Sequence, residues 1–234
     1  MIHIITHVYA EQNKQFAGAL AYQLSSLLLY PPENGVCIHV ACVDSDADTL
    51  RVIKHFENDV NVKPHFMSYN QLGRRSIGRN NIAKSLSQYT DFVWFADADY
   101  FFGEGCLDAV AKHHWPSDCV AIFPRQVLIS KTHDDGAAML DKVYIDTKTV
   151  EVNPDDYVPK RYFRAIGGAQ IVRGSIAGYG YLDGEKKWQR PTDKPFADTR
   201  EDVYYRRELE KRGRIVGVDI PNCYRIRHLE GHPK

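Results

Sequence analysis

Short β-rich runs alternate with segments of helical spacing over the first 130 residues, and that alternation restricts the fold more than any other feature of the sequence. Ile2–Val8 reads as a strand, and Phe16 to Tyr30 carries Leu20, Leu24, Leu27 and Leu28 at helical spacing. Pro31-Pro32 and Asn34-Gly35 then break the chain. Val36–Val43, Val62–Phe66, Phe92–Phe95 and Val120–Phe123 read as further strands, with Asp48–Phe56, Ile77–Tyr89 and Leu107–His113 as the helices between them. This rhythm predicts an α/β fold whose mostly parallel central sheet is flanked by helices. In such sheets ligands bind outside the carboxyl ends of the strands. That rule singles out His7 and Tyr9, Asp44, and the Asp97–Asp99 segment as neighbours on one edge.

Past Ser130 the rhythm changes. Residues 131–160 read as polar and irregular, with Asp134-Asp135-Gly136 and Asn153-Pro154-Asp155-Asp156, and Glu201–Lys211 reads as a helix that Gly213 ends. Thirty Lys and Arg residues balance 30 Asp and Glu residues. A formal charge of zero argues against nucleic acid or a polybasic hold on membranes. No apolar run approaches the roughly 18–20 residues of a membrane span, and the start Met-Ile-His-Ile-Ile-Thr has no basic n-region, so no signal peptide is expected. The five cysteines, Cys37, Cys42, Cys106, Cys119 and Cys223, are odd in number and form no CxxC pair. Neither a disulfide framework nor a zinc knuckle is expected; buried, reduced thiols fit the cytoplasm.

Four groups of residues could carry chemistry. Asp91-Phe-Val-Trp-Phe-Ala-Asp97-Ala-Asp99 runs an apolar strand into two carboxylates. If the chain stays extended there, period two puts Asp97 and Asp99 on one face. Their repulsion would be relieved by a hard divalent metal; the alternative is a solvated turn with Asp99 capping the next helix. Gly73-Arg74-Arg75-Ser76-Ile77-Gly78-Arg79 offers either a phosphate or base site at a helix start or an exposed basic turn. Glu201 and Asp202 open a helix, where acidic residues suit the dipole whatever the function. His228 and His232 stand four apart, but Gly231 and Pro233 argue against a helix; one His as a metal ligand fits better than both.

Taken in order, these pieces resemble the GT-A fold glycosyltransferases, nearest the family 2 type and similar to the β-1,4-galactosyltransferase group. Ile4-Ile5-Thr6-His7-Val8-Tyr9-Ala10-Glu11 is similar to the family's first strand and its P-x-Y-N-E turn. Cys42-Val43-Asp44-Ser45 resembles the V-D-D segment, and Gly78-Arg79-Asn80 the A-R-N helix. Asp97-Ala98-Asp99 matches D-x-D. Gly167-Gly168 resembles the glycine pair beside the donor sugar, Gly178-Tyr179-Gly180-Tyr181 the G-Y/F segment, and Arg200-Glu201-Asp202 the E-D helix. Cys223 to His228 resembles the segment carrying a third metal ligand, while the W-G-W-G-G stretch is replaced by a charged loop from Asp183 to Thr199.

The resemblance implies one GT-A domain over residues 1–234, with 1–130 as the nucleotide-binding half and 131–234 as the acceptor-binding and catalytic half. It implies an inverting, metal-dependent transferase moving a sugar from a nucleotide-sugar, a UDP-sugar by preference, to a hydroxyl of a carbohydrate or glycan acceptor. Asp202 is implied as catalytic base. His7, Tyr9, Asp44, Arg79, Asp97, Gly167, Gly168 and Glu201 are implied in donor binding, and Asp99 and His228 in holding Mn²⁺ or Mg²⁺. A sugar nucleotidyltransferase is the nearest rival, yet His7–Gln15 lacks the glycine a phosphate loop needs; a catalytically silent sugar-binding module is the other.

Overall fold

A computed structural model describes residues 1–86, 92–145, 149–177 and 201–228. The chain runs β1 (Ile2–His7), α1 (Gln15–Leu29), β2 (Val36–Cys42), α2 (Ala47–Phe56), β3 (Val62–Phe66), α3 (Tyr69–Leu72), α4 (Arg75–Leu86), β4 (Phe92–Ala96), β5 (Tyr100–Phe102), α5 (Cys106–Lys112), β6 (Cys119–Pro124) and β7 (Gln126–Ser130). It continues α6 (His133–Ile145), β8 (Tyr157–Arg161), β9 (Ala169–Arg173), α7 (Gly174–Ala177), α8 (Glu201–Glu210), β10 (Arg214–Val218) and β11 (Cys223–Arg225). A seven-stranded sheet has the order β10-β6-β9-β4-β1-β2-β3, and a four-stranded sheet the order β5-β11-β7-β8. In the larger sheet β9 is antiparallel to both neighbours while the other pairs are parallel. The expected mostly parallel sheet is therefore present. Strands from both sides of residue 130 are interleaved in each sheet.

Strand alternation decides which face each residue covers. Ile2 and Ile4, Ile38 and Val40, and Trp94 and Ala96 pack with α1, α2, α5 and α6. Ile5, Ala41, Val93 and Phe95 pack on the opposite face with Ile82, Ala83, Tyr205 and Leu209 of α4 and α8. Leu20, Leu24 and Leu27 of α1 are buried, each stabilising the fold by about 1.5–3 kcal/mol. All five cysteines are buried and unpaired, and among the described residues no helix is long and apolar enough to cross a membrane.

Two expectations are corrected. Residues 131–160 are not irregular throughout, since α6 and β8 lie there. Thr132 Oγ1 accepts from the Asp135 backbone N–H at 3.0 Å, and Asp134 and Asp135 occupy the first turn of α6. The polar residues are thus a helix start rather than a loop. Nor is the chain extended from Asp97 to Asp99: the Tyr100 N–H bonds back to the Asp97 carbonyl at 3.1 Å, a turn that sends the two carboxylates to different partners.

Asp46 fixes the strand ends that border the candidate site. Its fully buried carboxylate caps α2, accepting from Thr49 N at 3.1 Å and Thr49 Oγ1 at 2.7 Å, and it also takes the Ala10 N–H at 2.6 Å. Asp44, two residues earlier, is exposed. We expect Asp46→Ala to lower stability by about 2–4 kcal/mol in urea denaturation, a lost cap plus orphaned buried donors. Asp44→Ala should stay within about 0.5 kcal/mol of the parent.

Candidate functional site

Because β4, β1 and β2 are adjacent, the segments that follow them meet at one edge of the sheet. Asp97 leaves β4 there, and α4 lays two arginines against it. Arg79 Nη2 donates to Asp97 Oδ1 at 2.7 Å and Arg75 Nη1 to the same oxygen at 3.0 Å. Arg79 is 1% exposed, and its guanidinium also reaches the Ala96 carbonyl at 3.2 Å and the Gly167 carbonyl at 3.1 Å. One side chain therefore ties α4, the end of β4 and the turn before β9 together. The resemblance implies Arg79 in donor binding; in the fold its guanidinium is an internal strut. Burial works to raise the Asp97 pKa, but Arg75, Arg79 and Arg225 outweigh it and hold the carboxyl well below its ordinary range.

The glycine pair lies between the acidic groups. A Cβ on Gly168 would come within 2.8 Å of Asp97 Oδ2, and one on Gly167 within 3.0 Å of Asp202 Oδ2. Only a residue without a side chain lets both carboxylates approach this turn. Asp202 and Glu201 occupy the first turn of α8. The Asp202 carbonyl accepts from Gln170 Nε2 at 3.4 Å, and Tyr205 one turn on packs edge-to-face with Phe95, ring centres 5.4 Å apart. Glu201 is buried with Oε1 3.7 Å from Arg75 Nε, and its Oε2 has no hydrogen-bond partner. Burial raises its pKa against the pull of Arg75.

Asp99 faces the other way. Its Oδ2 accepts from Arg225 Nε at 2.8 Å and lies 3.8 Å from His228 Nε2, while Oδ1 is buried without a hydrogen-bond partner. The tail that brings these groups is anchored by the backbone: Ile226 N–H donates to the Asp99 carbonyl at 2.9 Å and Arg227 N–H to Ser130 Oγ at 2.8 Å. A Cβ at Gly136 of α6 would collide with the Arg227 carbonyl, so that glycine lets the tail pass. His228 stands edge-on to Phe16, ring centres 5.5 Å apart. The donor set suits a divalent cation: a buried, unsatisfied carboxylate oxygen beside an imidazole.

His7 ends β1 buried, with neither ring nitrogen hydrogen-bonded, and it occupies the space a Cβ on Gly78 would fill. Burial, then Arg79 and Arg75, push its pKa well below the ordinary value, so the ring is neutral at pH 7. Tyr9 donates to Glu11 Oε2 at 3.0 Å and packs against Tyr69, ring centres 5.0 Å apart. The fold thus gathers Arg79, Asp97, Gly167, Gly168, Glu201 and Asp202 into one cluster. Asp99 with His228 forms an adjoining pair, with His7 against α4. Asp44 and Tyr9 lie at the ends of neighbouring strands. His232, Arg200 and residues 178–182 lie outside the described residues. The sequence gives no separate sign of Arg75, and for Arg225 the one signal is the alternation in Tyr224-Arg225-Ile226-Arg227.

The mixed α/β architecture with its largely parallel central sheet is that of the GT-A fold. No protein-family model and no curated protein sequence matches the chain. Among solved structures it is similar to S. aureus TarS 1-349 in complex with UDP-GlcNAc, at TM-score 0.56 and 16% identity, covering 99% of this chain and 60% of that one. It is also similar to the mannosyltransferase PcManGT from Pyrobaculum calidifontis in complex with GDP-Man and Mn²⁺, at TM-score 0.58 and 12% identity, covering 98% of this chain and 58% of that one. The chain therefore spans about three fifths of the length of these structures.

Removing the strut should weaken both fold and site. Arg79→Met leaves Asp97 with fewer partners and should cost about 2–4 kcal/mol at pH 7 by urea denaturation. Because the folded-state pKa of Asp97 is depressed, its contribution is fully present above the unfolded value of about 4 and fades as pH falls toward the folded one. The gap between parent and Arg79→Met should therefore shrink between pH 7 and pH 3.5.

Proposed function

We propose that the chain is an inverting glycosyltransferase that moves a sugar from a UDP-sugar to a hydroxyl of a carbohydrate acceptor. The observation that carries this reading is the convergence of Asp97, Gly167-Gly168 and Asp202, with Asp99 and His228 alongside, at the strand ends of a GT-A sheet. The absence of side chains at Gly167 and Gly168 lets Asp97 and Asp202 stand against one turn, beside which the donor sugar is proposed to lie. The neighbours solved with UDP-GlcNAc and with GDP-Man and Mn²⁺ support a nucleotide-sugar donor.

Asp202 is proposed as the general base. Its carboxylate takes the proton of the acceptor hydroxyl as that oxygen bonds to the anomeric carbon; the bond from this carbon to the diphosphate oxygen breaks, and the electron pair leaves on the nucleoside diphosphate. Asp97, oriented by Arg75 and Arg79, is proposed to hold the ribose or waters on the metal. The neutral His7 ring is proposed to offer its unpaired nitrogens to the donor, and the Tyr9–Tyr69 pair a face for the uracil ring. Asp99 Oδ1 and His228 Nε2 are proposed to hold Mn²⁺ or Mg²⁺, which supplies charge neutralisation for the departing diphosphate.

Release of UDP from a panel of UDP-sugars, with and without an acceptor glycan, tests the reading. A nucleotidyltransferase would instead release pyrophosphate from a nucleoside triphosphate, and a silent module would do neither. Asp202→Asn should lower kcat by roughly 10²–10⁴ with little change in UDP affinity; near-normal turnover would reduce Asp202 to a helix-dipole residue. Asp99→Ala should abolish the Mn²⁺ dependence of UDP binding in calorimetric titration, and an unchanged dependence would remove Asp99 from the metal site.

A further inference from the structure

At the opposite end of the sheet from the candidate site, three neighbouring strands bring together histidines and a cysteine that the proposed transfer does not use. His3 of β1 and Cys37 of β2 are register partners in a parallel pair, and His39 is two residues along β2 from Cys37. Period two puts all three on one face. All three are buried, and one ligand atom from each lies within 4.8 Å of the others. His3 Nδ1 is 2.9 Å from His39 Nε2, and His39 Nδ1 is 2.8 Å from His65 Nε2 on β3. The rings are stacked or tilted with centres 5.2 Å and 5.0 Å apart.

We propose that His3, Cys37 and His39 form a binding site for a thiophilic divalent cation, Zn²⁺ by its donor preference, that fastens β1 to β2. One thiolate and two imidazoles form a borderline-soft set that suits zinc and disfavours magnesium or calcium. The fit is close. Two nitrogens bound tetrahedrally at about 2.0–2.1 Å lie about 3.3 Å apart, so the facing His3 and His39 nitrogens need to separate by only about 0.4 Å.

The outer shell is in place as well. With His39 Nε2 on the metal, its Nδ1–H donates to His65 Nε2, the kind of partner that fixes ligand orientation at metal sites. His39 is buried, with one ring nitrogen facing His3 and the other facing His65. Lys63, on the same edge strand, is exposed and can turn its ammonium into solvent. The competing arrangement is a hydrogen-bonded histidine ladder with a buried thiol beside it. His3 and His7 are four residues apart on β1, about 13 Å along the strand, so this site and the transferase reading stand or fall separately.

The full chain, stripped with a chelator and titrated with Zn²⁺, should retain one equivalent of zinc with one sulfur at about 2.3 Å and at least two nitrogens at about 2.0–2.1 Å in zinc-edge X-ray absorption. Cys37→Ala should lose the sulfur shell and weaken Zn²⁺ binding by at least about 100-fold, beyond what loss of an outer-shell partner typically causes. Asp99→Asn should leave the sulfur-containing site intact, and Cys37→Ala should still release UDP at the parental rate. No retained zinc, or a shell without sulfur, would overturn the proposal and leave the ladder. If Cys37→Ala fails to fold, the sulfur shell of the parent decides alone.

Discussion

The buried Arg79 guanidinium is the interaction on which the candidate site depends. A charge removed from water is tolerated only when it is paired and hydrogen-bonded, and Arg79 meets that condition by joining three separate pieces of chain. It binds the Asp97 carboxylate, the last carbonyl of β4 and the carbonyl of Gly167. These contacts set the distance between the strand end and the glycine pair, and through Gly167 the distance to Asp202. Arg75 extends the same network to Glu201 on α8. The acidic groups of the site are thus held by cations the protein itself supplies.

Asp99 follows the same logic with a different outcome. Arg225 neutralises one of its oxygens, leaving the other buried and unsatisfied beside His228. The two aspartates of one short motif are therefore held differently: Asp97 by Arg75 and Arg79, Asp99 by Arg225 with one oxygen left without a hydrogen-bond partner. The turn at Asp97–Tyr100 separates them.

Much of the first half could be read from the sequence because periodicity there is set by burial on both faces of a sheet. Strands β1, β2, β3, β4 and β6 and helices α1, α2 and α5 emerge from apolar spacing alone. Strands β5, β7, β8 and β11 do not, since they are short and exist by pairing with one another across long sequence separations. Helix α6 is hidden in the sequence by the acidic residues of its first turn, which follow the Thr132 cap. Among the site residues, the types at Asp97, Asp99, Asp202 and His228 could be read, but their partners could not. That Arg79 is a strut, and that Asp46 rather than Asp44 is the buried carboxylate, depends on which way each side chain points after folding. The His3–Cys37–His39 group illustrates the limit most clearly: its members match no linear metal motif, and only the register of β1 on β2 brings them together.

The central claim is that the edge organised by Arg79 is a nucleotide-diphosphate and metal site. Anomalous diffraction at the manganese edge, from crystals soaked with Mn²⁺ and UDP, tests it directly. The account predicts a manganese peak within coordination distance of Asp99 Oδ1 and His228 Nε2, with the diphosphate of UDP against it and the uridine toward Tyr9 and Asp44. Manganese and UDP bound together elsewhere on the molecule, with Asp99 still paired only to Arg225, would contradict it.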